Sequence, residues 1–221
     1  MKKNRRERID RTELVFILDR SGSMAGLEAD TIGGFNSLIE KQKREAGECR
    51  LTTVLFNHSC KLLHDRVNLK DVRPLTDREY TVGGNTALLD AIGLNIRRIA
   101  NAQRLAPAHR RADRVLFVIT TDGMENASRE FSREQIRRMI ELEKTQYDWE
   151  FIFLGANIDA VEIASNFGIA PSRASNYRAD SRGTRLNFDV LSETVSQMRA
   201  CGCIAEDWNA RIDEDYTGRE E

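Results

Sequence analysis

The chain is predicted to form one α/β domain in which a mostly parallel central sheet, with one antiparallel edge strand, is covered by helices on both faces. Three observations carry this expectation. Short apolar runs alternate with stretches of helical periodicity along the 221 residues, as they do in βα repeats. The run at 115–119 (Val-Leu-Phe-Val-Ile) has no polar alternation, which suits a central strand buried on both faces. With 40% hydrophobic residues, the chain can build one substantial core but is short for two ordinary domains.

Taken in order, residues 14–18 (Leu-Val-Phe-Ile-Leu) read as the first strand, and Ile32, Phe35 and Ile39 then share one face of a helix. Residues 51–56 form a second strand, 57–59 a turn and 60–63 the antiparallel return at the sheet edge. A loop holding Pro74 and Gly83-Gly84 leads to Asn85-Thr86, and Leu88, Ile92, Ile96 and Ile99 follow at helical spacing, so Thr86 stands at a helix start. The buried run 115–119 ends in Thr120-Thr121-Asp122-Gly123. A helix with Ile136, Met139 and Ile140 comes next, then a strand over 151–155 and a helix through Val161, Ala164 and Phe167. A final helix places Phe188, Leu191, Val195 and Met198 on one face. We divide the chain into a basic N-terminal tail (1–11), the domain (12–206) and an acidic, poorly ordered C-terminal tail (207–221).

The most informative stretch is Asp19-Arg20-Ser21-Gly22-Ser23, directly after the first strand. In a locally extended segment, residues two apart point the same way, so Asp19, Ser21 and Ser23 can converge just past the sheet edge. Oxygen-only ligands suit Mg²⁺ or Mn²⁺ rather than zinc or copper. Loops at the carboxyl ends of neighbouring strands meet at a crevice in such sheets. Three of those loops carry oxygen donors here: Asp19, Ser21 and Ser23, then Thr86, then Asp122.

In this order and context the sequence resembles the von Willebrand factor A (vWA) domain, a Rossmann-like three-layer sandwich. Its metal-ion-dependent adhesion site combines D-x-S-x-S, a threonine and an aspartate. The resemblance covers roughly Thr12 to Met198, and phrases such as Thr120-Thr121-Asp122-Gly123-Met124-Glu125-Asn126 resemble bacterial intracellular members. It implies that Ser21, Ser23 and Thr86 give hydroxyl oxygens to Mg²⁺ or Mn²⁺, while Asp19 and Asp122 act largely through bound water. It further implies a protein partner that offers a glutamate or aspartate to the metal, and a cytoplasmic setting. Some intracellular relatives work beside AAA+ ATPases, so an accessory role in such a machine is the alternative; a Mg²⁺-dependent hydrolase is a third reading. Asp90, one turn after Thr86, is either an outer partner of this site or an exposed helix residue. Asn126 and Asp159 are candidates for its rim.

Other classes find less support. The formal charge of −1, from 34 basic and 35 acidic residues, gives no overall pull toward nucleic acid or an anionic membrane, and neither partner is expected. The apolar run after the basic start is too short for a signal peptide or a membrane span. No Gly-x-Ser-x-Gly elbow surrounds Ser21 or Ser23, and His58, His64 and His109 have no motif placing them beside a serine; catalysis is not expected. Gly83-Gly84-Asn85-Thr86 lacks the lysine of a P-loop. Cys49, Cys60, Cys201 and Cys203 are read as reduced thiols, since Cys201-Gly202-Cys203 alone supplies too few ligands for a structural zinc.

Overall fold

A computed structural model describes residues 10–219. Six strands form one sheet in the order β3-β2-β1-β4-β5-β6. They are β1 (Arg11–Asp19), β2 (Glu48–Phe56), β3 (Cys60–Asn68), β4 (Arg114–Asp122), β5 (Glu150–Ala156) and β6 (Ala174–Asn176). Only β3 runs antiparallel, against β2, and it does so through a register shift near Thr53. The described helices are α1 (Glu28–Gln42), α2 (Leu88–Leu105), α3 (Arg133–Tyr147), α4 (Ala160–Asn166), α5 (Ser181–Cys201) and α6 (Ala210–Thr217). None of them is long and apolar enough to cross a membrane.

The apolar run of β1 explains the layering, because successive residues of a strand face opposite sides. Leu14, Phe16 and Leu18 enter a core shared with Phe35 and Leu38 of α1 and Leu191 and Val195 of α5. Val15 and Ile17 enter a second core with Ile92 and Ile96 of α2, Ile136 and Ile140 of α3, and Ala164 of α4. A sheet sealed on both faces leaves its edges as the places where polar loops can gather. The carboxyl ends of β1 and β4, neighbours in the sheet, bring Asp19 and Asp122 to one such edge.

Two expectations need correction. The segment from Asp207 is not a poorly ordered tail over its described part, and α5 is not the final helix. Helix α6 follows it, with Trp208 and Ile212 in the first core and the Trp208 indole donating to the Ser172 carbonyl at 2.8 Å. Polar contacts add to these two apolar anchors: Arg178 donates to the Tyr216 carbonyl at 3.0 Å and Arg182 pairs with Asp215 at 2.9 Å. The structure also adds β6, a three-residue edge strand beside β5 whose Ala-Ser-Asn composition carries no strand signal. The basic stretch read as a tail lies, for residues 1–9, outside the described residues.

Candidate metal centre at the carboxyl edge

Asp19 closes β1 and organises the loop after it. Its Oδ1 accepts the Ser21 backbone N–H at 2.6 Å, and its Oδ2 accepts the Thr121 hydroxyl at 2.7 Å and the Asp122 N–H at 3.2 Å. Ser21 Oγ lies 3.1 Å from Ser23 Oγ, and the Ser23 hydroxyl donates to the Asp122 carbonyl. Asp122 Oδ1 accepts the Asn157 side-chain amide at 2.5 Å. Four of the five candidate residues thus share one hydrogen-bonded cluster, Asp122 through its backbone.

Thr86 arrives by a different route. Its loop is stitched to the first by Gly83 N–H on the Arg20 carbonyl at 2.9 Å and Gly22 N–H on the Gly84 carbonyl at 3.0 Å. Gly84 has φ +78°, and a Cβ there would stand 2.3 Å from His58 Nδ1, so both backbone conformation and space call for glycine. Asn57, in the hairpin turn, holds the same loop by donating to the Gly83 carbonyl at 2.8 Å. On the other side, Asn126 accepts the Thr86 N–H at 2.9 Å and donates its own N–H to the Thr86 carbonyl at 3.0 Å.

The loop after β4 also caps α2. Glu125 accepts the Leu89 N–H at 3.0 Å and Ser128 Oγ accepts the Asp90 N–H at 3.1 Å, serving orphan donors of a helix that has no cap of its own. Asp90 returns the contact, accepting the N–H groups of Arg129, Glu130 and Phe131 at 2.8, 2.9 and 3.0 Å. Its carboxylate is engaged in holding that loop. Asp159 caps α4 by accepting the Glu162 N–H at 2.9 Å, and Asn126 clamps Thr86 rather than lining a rim.

Burial sets the electrostatics. Asp19 and Asp122 are each 1% exposed, and burial pushes both carboxyls up from their ordinary range. Hydrogen bonds from Ser21, Thr121 and Asp122 oppose the effect at Asp19; at Asp122 the Asn157 amide opposes it and the charge of Asp19 adds to it. Among the described residues, no lysine or arginine forms an ion pair with either. Two buried carboxylates without a cationic partner are unstable as a charged pair, and a divalent cation is the natural remedy. No cluster of three or more His, Cys, Asp or Glu side chains forms a conventional cage among the described residues. The donors here are instead two carboxylates and three hydroxyls. The 3.1 Å between the Ser21 and Ser23 oxygens matches an octahedral edge, which is roughly 3.0 Å for Mg–O bonds of about 2.1 Å. The residues therefore fit a small hard cation.

Thr121 and Asn157 were not among the candidates read from the sequence. Thr121 is adjacent to Asp122 on a strand, and Asn157 is one of three non-glycine residues with positive φ among those described, at 56°. The Asn in Leu154-Gly155-Ala156-Asn157 was the available signal, because asparagine tolerates that left-handed turn.

A mostly parallel sheet with an oxygen-donor cluster at its carboxyl edge defines the class of α/β domains that bind ligands at strand ends. Within that class, the chain has the von Willebrand factor A fold. It is similar to the vWF domain of the type V pili tip protein Mfa5 from Porphyromonas gingivalis, with a TM-score of 0.61 and 11% identity over 90% of this chain and 99% of that one. It is similar also to von Willebrand factor type A from Catenulispora acidiphila, with a TM-score of 0.56 and 12% identity over 85% of this chain and 43% of that one. A third similar structure is proximal thread matrix protein 1 from the mussel byssus with a zinc-occupied MIDAS motif, at a TM-score of 0.54 and 11% identity over 85% of this chain and 46% of that one. The chain spans less than half the length of the last two proteins. No protein-family model matches it. No curated protein matches it either.

Proposed function

We propose that this domain is a divalent-metal-dependent protein-binding module that takes Mg²⁺ or Mn²⁺ at the carboxyl edge of its sheet. Ser21, Ser23 and Thr86 would hold the ion through hydroxyl oxygens, with Asp19 and Asp122 behind them. The observation that carries this reading is the pair of buried aspartates, Asp19 and Asp122, with no lysine or arginine paired to either among the described residues and with Ser21 and Ser23 linking the Asp19 carboxylate to the Asp122 backbone. Such an ion supplies an electrophilic coordination position for an oxygen from outside. Neutral hydroxyls offset little of its charge, so an anionic oxygen is favoured there, and in a protein partner that means Asp or Glu.

The residues of the chain divide the work. Asp19 fixes the Ser21 backbone, Asn126 fixes Thr86, and Asn157 orients Asp122. A zinc-occupied site of this kind in the mussel protein is a further point in favour of divalent metal use at this edge. The single carboxylate contact would give orientation, and the surface around it most of the affinity.

The test is partner capture in Mg²⁺ and in EDTA, with wild-type protein and a folded Thr86→Ala variant as baits. A partner held only by the wild type, and only with Mg²⁺, supports the reading. Capture indifferent to both metal and Thr86 overturns it.

A further inference from the structure

The end of α5 carries two thiols that the metal edge does not use. Helix α5 stops at Cys201, and Gly202 takes the left-handed conformation at φ 78°. That turn folds the chain back so that Cys203 meets the side chain two residues before it. Cys201 Sγ lies 3.6 Å from the Cys203 carbonyl oxygen and 3.1 Å from the Gln197 carbonyl oxygen. Both thiols are exposed, whereas Cys49 is buried and Cys60 half-buried. Burial pushes the Cys49 thiol up to about 12 and the Cys60 thiol up to about 11, which leaves them inert as nucleophiles.

The corner is specific to glycine. A Cβ at position 202 would stand 2.9 Å from Arg114 Nε, so the Arg114 guanidinium lies directly against the turn. Arg114 is held there by the Arg199 carbonyl and by Asp10 at 3.4 Å. The carboxyl end of a helix disfavours a thiolate, and the Arg114 charge works against that penalty. Contact with the Cys203 side chain, and with its backbone, holds the Cys201 thiol below its ordinary range. Cys203 is pushed up by the same contact. The Gly202 turn thus sets two exposed thiols beside one another, with Cys201 the more acidic of the two, the order of an attacking and a resolving thiol.

We propose that Cys201 and Cys203 form a thiol–disulfide exchange site whose substrate is a low-molecular-weight disulfide of the glutathione class. Consecutive Cα atoms are about 3.8 Å apart, so residues two apart in a turn fall within the roughly 4.4–6.8 Å that a disulfide spans. The Cys201 thiolate attacks one sulfur of the external disulfide, forming a mixed disulfide and expelling the other sulfur as a thiolate. Cys203 then gives up its proton and attacks the Cys201 sulfur, the internal S–S bond forms, and the second external thiolate leaves. The two protons of the cysteines end on the two released thiols. Two protein thiols are oxidised and one external disulfide is reduced, with no other oxidant required.

The test is to equilibrate the intact protein with oxidised and reduced glutathione at a series of ratios, alkylate the remaining thiols and map them by mass spectrometry. The expected result is that Cys201 and Cys203 lose alkylation together, as one internal disulfide, at ratios that leave Cys49 and Cys60 reduced. In a Cys203→Ser variant the reaction stops with one glutathione on Cys201. Alkylation of both residues at every ratio, or separate glutathione adducts on each in the wild type, overturns the proposal.

Discussion

The Thr121 hydroxyl donates to Asp19 Oδ2 at 2.7 Å, joining the ends of two parallel strands that lie 102 residues apart in the chain. Asp19 is 1% exposed, so this bond is one of a few donors that make a buried carboxylate tolerable. Replacing Thr121 by Val keeps the shape and removes the donor. The variant should lose about 2 kcal/mol of stability, the usual scale for a hydrogen bond to a charged group. Urea unfolding in EDTA measures it, and an unchanged midpoint would mean that Asp19 is neutral without metal.

Metal binding should stabilise the fold. At about 100 times its dissociation constant, Mg²⁺ is expected to add about 2.7 kcal/mol, which for a domain of this size raises Tm by about 5–10 °C. An Asp122→Ala variant should lose that shift. Thermal scans of both proteins with Mg²⁺ and with EDTA decide the matter, and equal Tm values for the wild type in the two buffers would count against a metal at this edge.

Asn157 orients Asp122 through its amide at 2.5 Å while its own backbone sits at φ 56°. Glycine accepts that backbone, so Asn157→Gly removes the amide without adding strain. Mg²⁺ affinity is expected to fall about 10-fold, as for other residues that orient a ligand. Titration calorimetry reads this directly, and a loss of less than twofold would show Asp122 to be held by other means.

At the opposite edge, burial raises the Glu13 carboxyl despite the Arg66 guanidinium at 2.9 Å. An acid with a raised folded pKa contributes stability that is complete below its unfolded value, here 4.5, and lost as pH rises through the folded value. Glu13→Gln should therefore flatten the decline of stability in the pH range just above 4.5. Denaturant midpoints across that range give the slope; identical slopes in both proteins would refute the assignment.

Trp208 connects α6 to the first core and is 7% exposed. Trp208→Ala should cost about 3 kcal/mol, the low end for deleting a buried aromatic side chain. Chemical denaturation of the full chain provides the number. A cost below about 1 kcal/mol would place α6 outside the cooperative unit.

The oxygen donors and the strands that present them could be read along the chain because each depends on local patterning. Asp19 directly follows an unbroken apolar run, Asp122 follows another after two threonines, and Thr86 precedes a helical series. The supports of the site left no such trace. Asn157 reaches Asp122 across 35 residues and Asn126 reaches Thr86 across 40, and a side chain that bonds a distant group follows no period in the sequence.

What the sequence determined by itself was the alternation of strands and helices, the two-faced burial of the central strands and the three loops rich in oxygen donors. Each follows from periodicity, since side chains of strands and helices repeat at fixed intervals whatever they pack against. Only the tertiary structure decided that α6 docks, that β6 adds an edge, that Asp90 and Glu125 hold a loop to a helix end, and that Cys203 turns back on Cys201. Those outcomes depend on surfaces and backbone donors that exist only once distant segments have been brought together.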